Sequence, residues 1–252
     1  MTQYKKRKPL ISIITIVKND EKKINKTIKS VLNQKFKDFE YIIIDGKSTD
    51  RTLEIVNKYK KKINKIVSKK DKNLWDAMNT GIKLSKGKII GIINSGDIYY
   101  PKTLKYVSNY FERFKNLDYL FGPVKKDRIL FRFEPEKIFY RMNIYPSHSG
   151  GFFIKREAQK QVGYYDKTLK FGADHDLFYK IIVKHKLNGM IAKKSEVFAR
   201  FDLGGISSKI KFYKTYFYEM KIRYNNGQNL IYLIILYLLK IINKVVKQLI
   251  RI

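Results

Sequence analysis

With 252 residues, 44% of them hydrophobic and including 19 Tyr and 16 Phe, the chain can bury a full core, which excludes a disordered protein. It has no cysteine, which excludes disulfides and thiolate metal sites and is compatible with a reducing compartment. The formal net charge of +32 raises a nucleic-acid reading, but the basic residues are spread over nearly every segment, without a reading helix, a zinc finger or an aromatic stacking platform, so no nucleic-acid partner is expected.

The dispersed charge reads either as a general lysine bias or as attraction to an anionic membrane surface or phosphorylated ligands. Basic residues followed by an apolar run at 10–17 imitate a secretion signal. That run contains Ser12 and Thr15, ends at Lys18-Asn19-Asp20 and lacks a small-residue cleavage site, so it reads as a buried first strand. A cytoplasmic location is expected.

A helical pattern at about 20–33 follows, with Ile24, Ile28, Val31 and Leu32 on one face and Asp20 as N-cap. Residues 39–45 read as a second buried strand ending at Asp45, and the turn at 46–50 leads into a helix carrying Leu53, Val56 and Tyr59. A short third strand at 63–68 and a helix at 74–85 come next. Gly87 punctuates the turn into the apolar run at 89–93, which stops at Asn94-Ser95-Gly96-Asp97. Pro101 opens a helix with Leu104, Val107, Phe111 and Phe114 on one face. Strands alternating with helices predict an α/β fold, a parallel sheet covered on both faces, with its ligand site at the strands' carboxyl ends. In the second half, 119–124 and 128–133 look extended, and helical patterns are expected near 154–162 and 174–186. This half is expected to complete the sheet and build the second wall of the crevice.

Acids at strand ends are either helix caps or ligand contacts. Asp20 and Asp50 read as caps, whereas capping explains Asp45 less well, because it directly follows four apolar residues and precedes Gly46. A carboxylate there suits a ribose or a base N–H. Asp97 has no partner carboxylate close in sequence; one Asp with phosphate oxygens and waters suits a hard divalent cation. Asp174 and Asp176, two apart, diverge by about 200° on a helix, so one faces the crevice while the other caps the helix or contacts the scaffold.

Six pieces in order carry a family resemblance. They are Ser12-Ile13-Ile14-Thr15-Ile16-Val17-Lys18-Asn19, Ile44-Asp45-Gly46-Lys47-Ser48-Thr49-Asp50, and Asp71-Lys72-Asn73-Leu74-Trp75-Asp76-Ala77-Met78-Asn79-Thr80-Gly81-Ile82. The others are Asn94-Ser95-Gly96-Asp97, Gly172-Ala173-Asp174-His175-Asp176-Leu177, and Phe201-Asp202-Leu203-Gly204-Gly205-Ile206-Ser207. Over about 9–208 the chain resembles the family 2 glycosyltransferases, inverting enzymes with the GT-A (Rossmann-like) fold, in its bacterial capsule, exopolysaccharide or lipopolysaccharide type.

The resemblance implies a mixed, mostly parallel sheet flanked by helices in a catalytic domain at 1–208, with a nucleotide-sugar half at about 9–100 and an acceptor half at about 101–208. It implies that Thr15, Val17, Asn19, Asp45 and Asp71 surround the nucleotide, that Asp97 holds a divalent cation (Mn2+ or Mg2+), and that Asp174 is the catalytic base. Two departures from the family pattern stand out: the first carboxylate of the Asp-x-Asp metal motif is absent, with Asn94-Ser95-Gly96 preceding Asp97, and Ala173 replaces the Glu before the base. Asn94, Trp75, His148, Asp176 and Gly205 are further candidate donor or acceptor contacts; Trp75 either stacks near the donor or packs its helix, and His148 is either a ligand contact or a structural loop residue.

The implied reaction moves a sugar from a nucleotide-sugar donor, UDP by default, to a hydroxyl of a glycan or lipid-linked acceptor in surface polysaccharide synthesis. The rival reading is a degenerate sugar-nucleotide-binding subunit of an assembly complex, which the thinned metal motif suggests. The remaining residues, 209–252, read as a basic amphipathic helical extension, with ten consecutive apolar residues at 230–239 and lysines at 240, 244 and 247. Ten residues do not span a bilayer that needs about 20. The part at 228–252 either lies on an anionic membrane, as a peripheral contact on its inner face, or packs on the catalytic domain or a second subunit.

Overall fold

Seven consecutive buried residues form β1 (Ile11–Val17), the strand around which the sheet is laid. The computed structural model describes residues 7–141, 144–145, 149–202 and 212–249. After β1 come α1 (Ile24–Leu32), β2 (Phe39–Asp45), α2 (Thr52–Asn57), β3 (Lys65–Ser68), α3 (Leu74–Leu84) and β4 (Ile89–Asn94). They are followed by β5 (Ile98–Tyr99), α4 (Thr103–Arg113), β6 (Tyr119–Phe121), β7 (Val124–Lys125), β8 (Ile129–Leu130), β9 (Phe152–Lys155), α5 (Arg156–Val162) and α6 (Ala173–Tyr179). A π-helical turn at Lys180–Lys184, β10 (Gly189–Ile191), β11 (Ala199–Arg200), α7 (Phe212–Asn225) and α8 (Leu230–Leu249) complete the order.

The main sheet runs β10-β6-β9-β4-β1-β2-β3, parallel except for β9, which is antiparallel to both its neighbours. A smaller sheet, β5-β11-β7-β8, lies beside it. Both faces of β1, β2 and β4 are covered, which is why these strands read as unbroken apolar runs instead of alternating ones. Ile14, Ile16, Ile42, Ile44, Ile90 and Ile92 pack on one side with residues of α3, α5 and α6. Ile11, Ile13, Val17, Ile43, Ile89 and Ile93 pack on the other with α1 and α4.

Three local expectations change. The helix expected from Asp20 begins at Ile24, and its N-cap position is Lys23. Asp20 does not cap it with its side chain; that carboxylate instead accepts the Ser95 hydroxyl at 2.6 Å. The helix expected near 154–162 starts at Arg156, because Phe152–Lys155 is drawn into the sheet between β4 and β6. The pattern at 174–186 splits into α6 and the π-helical turn. Asp50 stands one residue before the N-cap position, Arg51, and accepts the Thr52 N–H at 3.0 Å.

The last two helices form a hairpin through Gly227, whose φ is 89°. Glu219 bonds Arg223 on its own helix and Lys240 across the hairpin, holding α7 to α8. The hairpin is fastened to the rest of the protein by Arg223 Nη2 donating to the Arg141 carbonyl (3.0 Å) and Asn226 Nδ2 donating to Asp176 Oδ1 (2.7 Å). Among the described residues, no helix is long and apolar enough to cross a membrane.

Candidate active site

The carboxyl ends of β1, β2 and β4 and the entrance to α3 form one end of the sheet. Asp45 closes β2 and is fully buried. Its carboxylate accepts the Ser48 N–H and hydroxyl and, at 2.6 Å, the hydroxyl of Ser68. It therefore shapes the turn at 46–50 from beneath, and a direct bond to a ligand requires Ser48 to move. Asn19 faces that turn in the left-handed region (φ 49°), which Asn tolerates. Its N–H donates to Ser48 Oγ at 2.9 Å and its side-chain oxygen accepts the Thr49 N–H at 2.8 Å.

Thr15 and Val17 depart from the expectation that they line a nucleotide. Thr15 is fully buried with its hydroxyl 2.9 Å from that of Tyr41. Val17 is buried in the core, and its carbonyl accepts the Gly46 N–H at 2.9 Å. Period-two geometry turns both side chains to the face covered by α1, so they form the wall behind the crevice.

Asp71, between β3 and α3, is different. Both its side-chain oxygens are buried without a hydrogen-bond partner, and its nearest cation, Lys69, stands 3.5 Å away. Burial pushes its carboxyl above the usual aspartate range, against the pull of Lys69 and with added repulsion from Asp76 and Asp45. A buried carboxylate held only by one long ion pair costs free energy that a ligand's N–H or O–H groups recover.

At the end of β4 the chain turns through Asn94-Ser95-Gly96-Asp97. Gly96 has φ 95°, a conformation that costs glycine little and other residues more. Asp97 is buried; its N–H donates to the Asn94 carbonyl (3.1 Å), and its Oδ1 accepts the Asp202 N–H (3.0 Å). Burial is the main reason its carboxyl is pushed up to about 7. The Asp202 carboxylate forms an ion pair with Lys23, beside Gly96. Asn94 donates to Ser149 Oγ at 3.1 Å, while its side-chain oxygen is buried without a partner.

These groups fit the divalent cation that the resemblance implies, because the carboxylates of Asp97 and Asp202 and the unspent oxygen of Asn94 are all hard donors. Among the described residues no group of three acidic or histidine side chains could hold a metal by itself. The fit is thus to a cation that takes its remaining ligands from a phosphorylated substrate and water.

Asp174 lies in the first turn of α6, where Gly172 at φ 78° turns the chain into the helix. Its carboxyl is half-buried and raised above the usual range by desolvation, against the N–H of His175, which donates to Oδ1 at 2.9 Å. Its charge in turn raises the buried Tyr145 and Tyr165 hydroxyls, second to the effect of their own burial. Tyr165 stacks on Trp75 in the first turn of α3, with ring centroids 5.6 Å apart. Through that contact Tyr165, whose hydroxyl feels the charge of Asp174, packs against the first turn of α3, and Trp75 is a packing residue there. Asp176 points away, to Lys180 (2.6 Å) and Asn226 (2.7 Å), as expected for the scaffold-facing acid of the pair.

His148 and Gly205 lie outside the described residues. A cavity of about 530 Å3 lies elsewhere, lined by Phe114, Tyr119, Phe133 and Met190 among others near the start of β6 and β10. Sequence reasoning gave no role to Lys23, Tyr165 or Asn226. Asp202 was quoted within a motif, but no periodicity signals that its backbone would bind Asp97 from 105 residues away.

The pattern of glycosyl transferase family 2 matches residues 12–178. A glycosyltransferase of Methanocaldococcus jannaschii is 27% identical over 242 residues, covering 88% of this chain and 82% of its own length. The poly(ribitol-phosphate) beta-N-acetylglucosaminyltransferase TarP of Staphylococcus aureus is 36% identical over 117 residues, 44% of this chain and 36% of TarP. Among solved structures, S. aureus TarS 1–349 with UDP-GlcNAc superposes with a TM-score of 0.69 at 19% identity, covering 89% of this chain and 69% of that one. A mannosyltransferase from Pyrobaculum calidifontis with GDP-Man and Mn2+ gives 0.64 at 14% identity, covering 88% and 66%.

Proposed function

Because the chain belongs to glycosyl transferase family 2 and is a transferase of GT-A fold, we propose that it moves a sugar from a UDP-sugar to a hydroxyl of a glycan or lipid-linked acceptor of the bacterial surface, with inversion. The observation that carries this reading is a set of acids on separate loops: Asp71 after β3, ion-paired with Lys69 and otherwise without a hydrogen-bond partner, buried Asp97 after β4, and Asp174 at the start of α6 with a raised pKa. Asp71 accepts from the nucleoside, while Asp45 and Asn19 hold the turn at 46–50 that borders it. UDP is supported by the UDP-GlcNAc bound to TarS, and a surface polymer by the acceptor in TarP's name.

Asp174 takes the proton of the acceptor hydroxyl while that oxygen attacks the anomeric carbon from the face opposite the donor phosphate. The bond from that carbon to the phosphate oxygen breaks, its electron pair leaving with the nucleoside diphosphate, and the configuration inverts. A carboxylate whose pKa is raised by desolvation is a stronger base than one in water, provided it is ionised. A divalent cation bound through Asp97 would supply neutralisation of the charge on the departing diphosphate.

A donor panel including UDP-GlcNAc and GDP-mannose, read by nucleoside diphosphate release with a glycan and lipid-linked acceptor extract, tests the proposal. Acceptor-dependent release from a UDP-sugar is the expected result. Release from no donor, with donors still binding, would instead favour a sugar-nucleotide-binding subunit.

A further inference from the structure

The hairpin of α7 and α8 buries only one side of its second helix. Leu233 is buried against α7, and Lys240 turns in to Glu219, 2.7 Å away. The opposite side carries Ile231, Ile235, Leu238, Ile242, Val245 and Leu249, at successive intervals of four and three, each between 42% and 70% exposed. That spacing keeps all six within an arc of about 80° along a helix about 30 Å long. No charged residue interrupts the stripe, because the lysines at 240, 244 and 247 project from the other side of the helix. Exposed Phe139 adjoins it at the hairpin turn, where Gln228 donates to the Phe139 carbonyl at 3.1 Å. A continuous aliphatic face of this length is larger than a monomer ordinarily leaves in water.

We infer that this face docks on an anionic lipid bilayer surface, with α8 lying in the plane of the headgroups and its stripe in the acyl boundary. Charge complementarity selects the partner. At a formal net charge of +32, a second copy of the chain repels the first, while an anionic surface attracts it. The arrangement of an apolar stripe, with lysines behind it, matches an interfacial helix, and α8 is not apolar enough to span the bilayer.

Flotation of the full chain with phosphatidylglycerol-rich and with pure phosphatidylcholine vesicles, without any donor, tests this independently of the catalytic reading. The wild type is expected to float with the anionic vesicles and far less with the neutral ones. The triple variant Ile235→Glu, Leu238→Glu, Ile242→Glu is expected to lower the bound fraction by about tenfold or more, with circular dichroism and melting temperature unchanged since the side chains are exposed. Failure of the wild type to float with the anionic vesicles overturns the inference. So does a soluble dimer, seen by light scattering, that the triple variant splits, because a second copy would then cover the face.

Discussion

Asp97 is held at the end of β4 at a free-energy cost. Burial pushes its carboxyl up to about 7, while two backbone N–H groups and Lys23 pull it down. A carboxyl whose folded pKa exceeds its unfolded value near 4 favours the folded state most when protonated, so its contribution falls as pH rises from about 4 to about 7. Asp97→Asn keeps an oxygen for the Asp202 N–H. It is expected to raise the melting temperature of the ligand-free protein above pH 7 by on the order of a few degrees, with the gain vanishing toward pH 4. A melting temperature unchanged above pH 7 would contradict that cost. The same residue is the proposed cation ligand. With Asn94 in place of a second carboxylate in the turn, Mn2+ should bind weakly to the empty protein and much more tightly once UDP supplies phosphate oxygens, as titration calorimetry would read. Tight binding without nucleotide would show that the site is complete in itself. Residue by residue, only Asp97 stands out by pattern, where an apolar strand stops; Asp71 and Asp174 were legible as candidates through the resemblance and not through any local period. Thr15 and Val17 misled because a motif position does not say which face of a strand its side chain takes.

Helix α6 joins the crevice to the C-terminal hairpin, with Asp174 on one side and His175 and Asp176 on the other. His175 is buried with neither ring nitrogen hydrogen-bonded, and burial, the leading cause, lowers its pKa to about 4. The unfolded chain, with a histidine near 6.5, then binds more protons than the folded one between about 4 and 6.5, so stability falls as pH falls through that window. This runs opposite to Asp97, and each contribution is separable by its own variant. His175→Leu removes the titration and leaves no buried polar atom behind. It is expected to raise the unfolding free energy at pH 5 by on the order of 1–2 kcal/mol relative to wild type, with a smaller effect at neutral pH, measured by denaturant unfolding. Equal acid sensitivity in both proteins would place the lability elsewhere. At the scale of elements, the long strands β1, β2 and β4 and helices α3 and α4 were legible, because burial on two faces or one leaves a clear period. The two-residue strands of the small sheet carry no period, and β9 was not read as a strand, its last two residues falling in the expected helix, because its partners lie far along the chain.

Across the whole molecule, the carboxyl ends of β1, β2 and β4 lie together at one end of the sheet, and the hairpin fastens to α6 through Asp176. Alternation of strand and helix is enough to expect this architecture, since a parallel sheet needs crossovers that cover both faces. The packing of the hairpin on Arg141 and Asp176 was not legible, because side-chain bonds between distant segments leave no local trace. In the proposed reaction Asp174 removes the acceptor's proton. Turnover and donor binding by Asp174→Asn test it most directly. The variant is expected to lose about 10²- to 10⁴-fold in nucleoside diphosphate release, with donor affinity close to wild type, and the wild-type rate profile to show an acid limb above the ordinary aspartate range. Near-normal turnover by Asp174→Asn would contradict it.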